Sequence, residues 1–216
     1  MSRKIKRFYS EDYLYFVTCN TKYGISFFRE PIFCDLWIEE LKIAKELKSF
    51  KLYSFCLNYN HFHLIVKCTK GENISRVMKF FKENISRDIN KILSCAEEKT
   101  MSPCKNENEA GNGDETASSR KSEKKTASSR KSQNKNSAFL KIDDFLDFKK
   151  YQFRQKYPNH RFPKFVWQAS FHDHVIRNEK DFIAHDNYCK YNYLKHDLPM
   201  NWKFTSVNYM NLCDLV

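Results

Sequence analysis

Leu52-Tyr53-Ser54-Phe55-Cys56-Leu57-Asn58-Tyr59-Asn60-His61-Phe62-His63-Leu64-Ile65-Val66-Lys67-Cys68 sets the architecture of this chain. Two apolar runs are separated by a short segment with two asparagines, which is a β-hairpin signature. Strand side chains alternate faces, so His61 and His63 point one way while Phe62 points into the core. Two parallel imidazoles can share one divalent cation, and such a site needs a third ligand. A histidine-rich edge strand also yields such a pair with no metal at all.

Outward from the hairpin the pattern stays regular. Tyr13-Leu14-Tyr15-Phe16-Val17-Thr18 is aromatic and β-branched and reads as a strand. From Pro31 to about Leu47, Ile32, Phe33, Leu36, Trp37, Leu41, Ala44 and Leu47 recur at helical steps, with charges on other faces. After Gly71, Ile74, Val77, Met78, Phe81, Ile85, Ile89 and Ile92 mark a second amphipathic helix, whose Arg76, Lys79, Lys82, Arg87 and Lys91 are basic. Phe139 to Tyr157 mixes aromatics with charge and is expected to be a helix returning the chain to the domain. Phe165-Val166-Trp167 through Val175-Ile176 alternates as a strand or hairpin does, and Asn178 is placed to cap a helix from Glu179 to about Lys195. This order implies an α+β fold, an antiparallel sheet with helices on one face.

One stretch does not read as folded. From Lys99 to Ser137 large apolar residues vanish, and TASSRKSEKK (Thr116 to Lys125) is followed by TASSRKSQNK (Thr126 to Lys135). A ten-residue copy without an apolar face cannot stack as a solenoid, so 99–137 is expected to be a flexible, disordered insert. The 216 residues otherwise suit one domain, and 38 Lys plus Arg against 26 Asp plus Glu give +12, an excess that favours a polyanionic partner. No apolar run approaches a bilayer span, and the basic N-terminus lacks the apolar region of a signal peptide, so the expected location is cytoplasmic, away from membranes. The eight cysteines lack zinc-knuckle spacing and read as small buried hydrophobes in a reducing compartment.

On the last helix His185, Tyr188, Asn192 and Lys195 fall at steps of three, four and three, hence on one face. A helix that packs its aromatics and exposes its amides gives the same stripe, and Tyr191 and Tyr193 are nearby. His172-Asp173-His174 is a second two-histidine strand, though an aspartate replaces the apolar residue between its histidines.

Three ordered motifs make the chain resemble a known family, the REP-associated tyrosine transposases of the single-tyrosine HUH transposase superfamily. They are Asn60-His61-Phe62-His63-Leu64-Ile65, Trp167-Gln168-Ala169-Ser170-Phe171-His172-Asp173-His174-Val175-Ile176-Arg177, and His185-Asp186-Asn187-Tyr188-Cys189-Lys190-Tyr191-Asn192 with Lys195-His196. Phe27-Phe28-Arg29-Glu30-Pro31 is similar too. The chain departs from the family's usual prolines at Tyr59 and Tyr193 and from a usual glycine at Asp197.

The resemblance implies a ferredoxin-like or RRM-like HUH fold. It divides into residues 1–98, the insert 99–137, residues 138–198 with the tyrosine helix, and a C-terminal tail, 199–216. It also implies that His61, His63 and Asn192 hold Mg²⁺ or Mn²⁺ and that Tyr188 is the nucleophile of a single-stranded DNA endonuclease and strand transferase. That chemistry proceeds through a 5′-phosphotyrosine intermediate, on hairpin or palindromic-repeat DNA. Single strands are held by basic grooves and stacking rings, so Arg76, Lys79, Lys82, Arg87, Lys195 and His174 are the expected DNA contacts. The family includes composite dimers, so both monomer and homodimer stay open. Two other readings remain: a non-catalytic nucleic-acid binding module of the same fold, and a histidine-metal hydrolase using activated water.

Overall fold

In the computed structural model, residues 9–94, 129–158 and 162–215 are described, the side chains of 129–141 excepted. Strand β1 (Leu14–Asn20) is followed by α1 (Pro31–Leu47), the hairpin β2 (Phe50–Leu57) and β3 (His61–Cys68), and α2 (Ile74–Ser94). Then come α3 (Ser129–Lys156), β4 (His172–Ile176) and α4 (Glu179–Lys195). The four strands form one sheet in the order β2-β3-β1-β4, with every pairing antiparallel. This is the α+β antiparallel sheet expected from the order of elements, in the ferredoxin-like arrangement that the resemblance implies.

Alternation along the strands divides the sheet into two faces. Tyr15, Val17, Leu52, Phe62, Leu64 and Val66 pack with the apolar faces of α1, α2 and α3 in the main core. Trp37 is fully buried there, its ring centroid 5.6 Å from Phe55 and 5.3 Å from both Phe62 and Phe81. Helices α1, α2 and α3 thus lie on one face, as expected, while α4 lies on the other. The opposite face carries a smaller cluster in which Ile65 and Ile176 meet Cys189 of α4, with Phe16, Tyr53 and Phe182 around them. Tyr53 is the extra residue where the β2–β3 register shifts between Leu52 and Ser54, a bulge that restores alternation beyond it.

Helix ends obey local chemistry. Pro31 opens α1, where its missing N–H costs nothing. Asn178 caps α4 by accepting from the Asp181 N–H at 2.9 Å, a contact worth about 1 kcal/mol. Residues 99–128 of the expected insert, with Cys104, lie outside the described residues, as does Cys95. Residues 129–137 form the start of α3 in the backbone.

The segment after α4 runs beside the free edge of β2. Leu57 N–H donates to Phe204 C=O at 2.9 Å, Asp214 N–H to Leu52 C=O at 2.6 Å, and Trp202 Nε1 to Leu57 C=O at 2.7 Å. An otherwise open edge is covered. Cys19, Cys34, Cys56, Cys68 and Cys189 are buried thiols and Cys213 is partly buried, all unpaired, as their apolar settings imply. No described helix is long and apolar enough to cross a membrane.

Candidate active site

The register brings side chains of three strands into rows. Thr18 of β1 lies between His63 of β3 and His172 of β4, Phe16 lies between Ile65 and His174, and Asn20 is opposite His61. All are on the face that α4 covers. The ring of Tyr188 contacts that of His63 edge-on, with centroids 5.1 Å apart, and Lys195 Nζ sits 4.5 Å from the centre of the Tyr188 ring on its other contact. Phe16 touches both partners, at 5.2 Å from His63 and 5.8 Å from Tyr188. An open cavity of about 330 Å³ is lined by Phe16, Thr18, His63, His172, His185 and Tyr188.

His61 and His63 lie side by side, ring centroids 4.9 Å apart. His61 Nδ1 is 2.7 Å from Asn60 Oδ1, so that nitrogen carries the proton and Nε2 presents a lone pair. Asn58 Nδ2 donates to that lone pair at 2.9 Å and also to Asn192 Oδ1 at 2.6 Å. Asn58 and Asn192 are both buried, so one amide donor occupies the point on which two acceptors converge. His63 Nδ1 is 2.8 Å from Thr18 Oγ1, while its Nε2 is buried with no partner. A buried ring nitrogen without a partner costs stability unless something else uses it. The donor set of two imidazoles and an amide oxygen, with this orphaned nitrogen among them, fits a divalent cation.

Electrostatics favours the ligating forms. Burial, with His196 adding to it, lowers His61 to about 4. Burial, then His61 and His196, lowers His63 to about 3. Both are neutral at pH 7. In the unfolded chain they protonate near 6.5, so the stability they contribute is complete above that pH and is lost as pH falls toward 4. At pH 5 the loss is on the order of 1–2 kcal/mol for each histidine. The urea midpoint is expected to drop by roughly 1 M between pH 7 and 5; an unchanged midpoint would contradict the neutral, buried assignment.

The other expected contacts are placed as follows. His174 Nε2 lies 3.0 Å from Asp181 Oδ2 at the rim of the same face. Arg76, Lys79, Lys82 and Arg87 are on α2, beneath the opposite face, and are not brought to the histidines. Arg87 is held by the buried Asp88 at 2.7 Å, and Lys82 Nζ by the carbonyls of Gln168 and Ser170 at 2.8 and 3.2 Å. Beside Asp88, Glu40 is pushed up to about 8 by burial and by that carboxylate, so it stays protonated at neutral pH. Tyr191 is 54% exposed. The sequence reading passed over Asn58, Thr18, Phe16 and Asp181. Asn58 had a signal, as a hairpin asparagine, but turn chemistry accounted for it.

The class these features define is reached from two sides. Residues 10–105 match a family model described as Transposase IS200 like. The matched segment holds the two-histidine strand and ends before α4. The fold is similar to a solved structure described as the REP-associated tyrosine transposase bound to a REP hairpin, with a TM-score of 0.57 and 15% identity over 97% of this chain and 84% of that one. No curated protein matches the chain in sequence. The resemblance to REP-associated tyrosine transposases stands, and family match and fold together support a DNA-processing, transposase function.

Proposed function

We propose that this protein cuts and rejoins single-stranded DNA, with Tyr188 as nucleophile and His61, His63 and Asn192 as ligands of Mg²⁺ or Mn²⁺. The observation that carries this reading is the contact of Tyr188 with His63, a ring whose outer nitrogen is buried and unpartnered, at the wall of an open cavity. The Tyr188 oxygen attacks a backbone phosphorus, forming a phosphotyrosine bond as the P–O3′ bond breaks. Tyr188 gives up its phenol proton and the leaving 3′ oxygen takes one up, so protons balance, and the phosphodiester energy is retained in the adduct for rejoining by another 3′ hydroxyl. When bound, the cation supplies Lewis-acid polarisation of the scissile phosphate and neutralises charge on its oxygens.

Within this scheme Phe16 holds the rings of His63 and Tyr188 in place. Lys195, stacked on Tyr188, adds positive charge beside the entering phosphate. Thr18 fixes the rotation of His63, and Asn58, donating to both, keeps His61 and Asn192 aligned. The helix that carries Tyr188 packs on the histidines of its own chain, an arrangement that suits a monomer. The +12 excess and the hairpin held by the structural neighbour support a hairpin substrate with a single-stranded flank. A binding module without chemistry is the second reading, favoured by Asn58 already satisfying His61 and Asn192.

The test is a denaturing gel of the protein with labelled hairpin-bearing single-stranded DNA and Mn²⁺. The expected result is a protein–DNA band that disappears with chelator. Cleavage without a band favours activated water, and binding without cleavage favours the idle module.

A further inference from the structure

We propose that His174, Asp181 and His185 form a second metal site, one for zinc, which ties the first turns of the tyrosine helix to the edge strand β4. His174 lies on β4, and Asp181 and His185 lie one turn apart on α4. Asp181 presents one carboxylate oxygen to each imidazole, Oδ2 at 3.0 Å from His174 Nε2 and Oδ1 at 3.0 Å from His185 Nδ1. One donor atom from each of the three lies within 4.8 Å of the others. The imidazoles are stacked almost parallel, centroids 4.7 Å apart and planes at 19°. At metal–ligand distances of about 2.0–2.1 Å, tetrahedral donors are roughly 3.3 Å apart, so closing the site takes a turn of the stacked rings that brings both lone pairs to one point, and His185 Nδ1 gives up its contact with the Asp181 backbone carbonyl at 2.9 Å.

The donor set decides the metal. Two nitrogens and one carboxylate oxygen suit zinc, whereas magnesium prefers an all-oxygen, largely hydrated shell. Three protein ligands leave a fourth position for water, and His185 also lines the cavity at Tyr188. Outer contacts already orient the carboxylate: the Arg177 N–H donates to Asp181 Oδ2 at 3.0 Å, and the Asn178 cap fixes the Asp181 backbone. No ligand is shared with His61, His63 or Asn192, so this site stands whether or not Tyr188 is a nucleophile. The competing state of the same residues is a metal-free triad in which Asp181 accepts from both imidazoles.

Zinc content after equilibrium dialysis against micromolar Zn²⁺ with millimolar Mg²⁺ tests the proposal. His61→Ala/His63→Ala is expected to keep one zinc per chain and to melt several degrees higher with zinc than without. Adding Asp181→Asn should weaken zinc binding at least 100-fold. Should the double alanine variant fail to fold, His174→Gln and Asp181→Asn in the otherwise native chain must each lower zinc stoichiometry by one. Native-like variants that leave the stoichiometry unchanged, or no zinc on a folded His61→Ala/His63→Ala chain, overturn the site and leave the metal-free triad.

Discussion

Tyr188→Phe is expected to abolish the covalent adduct and to lower strand cleavage at least ~10³-fold, while hairpin affinity changes less than about twofold. The substitution removes one oxygen and keeps the ring. Its contacts with His63 and Phe16 and the stacked Lys195 depend on the ring, so folding should change by no more than about 0.5 kcal/mol. The loss therefore reports on the nucleophile and not on the shape of the site. Tyr191→Phe is the matched control: that side chain is 54% exposed on the same helix and should cut at the wild-type rate. An adduct that persists in Tyr188→Phe and disappears in Tyr191→Phe or Tyr193→Phe would transfer the role. Cleavage without an adduct in the wild type would point to water as the attacking group.

Much of this site was legible because strand and helix periods carry it. Alternation at His61-Phe62-His63 placed Phe62 against Trp37 and both imidazoles on the far face, where they are found. Helical spacing put Tyr188, Asn192 and Lys195 on one side of α4, and Asn192 is buried there, bonded to Asn58. The spacing also included His185, but its partner Asp181 was invisible as such, because the link to His174 crosses from helix to strand. Basic residues on α2 illustrate the converse. Amphipathicity shows that Arg76, Lys79, Lys82 and Arg87 face away from the core, yet it does not reveal which side of the sheet the helix covers. The stretch 199–216 read as a tail because it lacks period. It is held by backbone hydrogen bonds to β2 and by Phe204, which no side-chain pattern announces.

His63→Phe is expected to move stability and activity in opposite directions. His63 is 4% exposed and its Nε2 has no partner, a desolvated polar atom that costs roughly 1–3 kcal/mol unless it is used. A phenyl ring fits the same slot, since Phe16 stacks on this ring at 13° and the cavity beyond Thr18 accepts the small increase in volume. Thr18 loses its partner but opens to that cavity, where water can bond it. The variant should thus unfold at the same or higher urea concentration than the wild type, and it should lose about half of the acid sensitivity between pH 7 and 5. Cleavage in Mn²⁺ should nevertheless fall on the order of 10³-fold, because an imidazole ligand is gone. His61 offers no such separation: both its nitrogens are engaged, by Asn60 and Asn58, so replacing it disturbs the hairpin turn as well as the ligand set. A His63→Phe chain that is stable and still forms the manganese-dependent adduct would exclude His63 as a ligand. One that is destabilised by several kcal/mol would show that the imidazole is retained for structure, since a polar atom kept for binding alone should be dispensable to the fold.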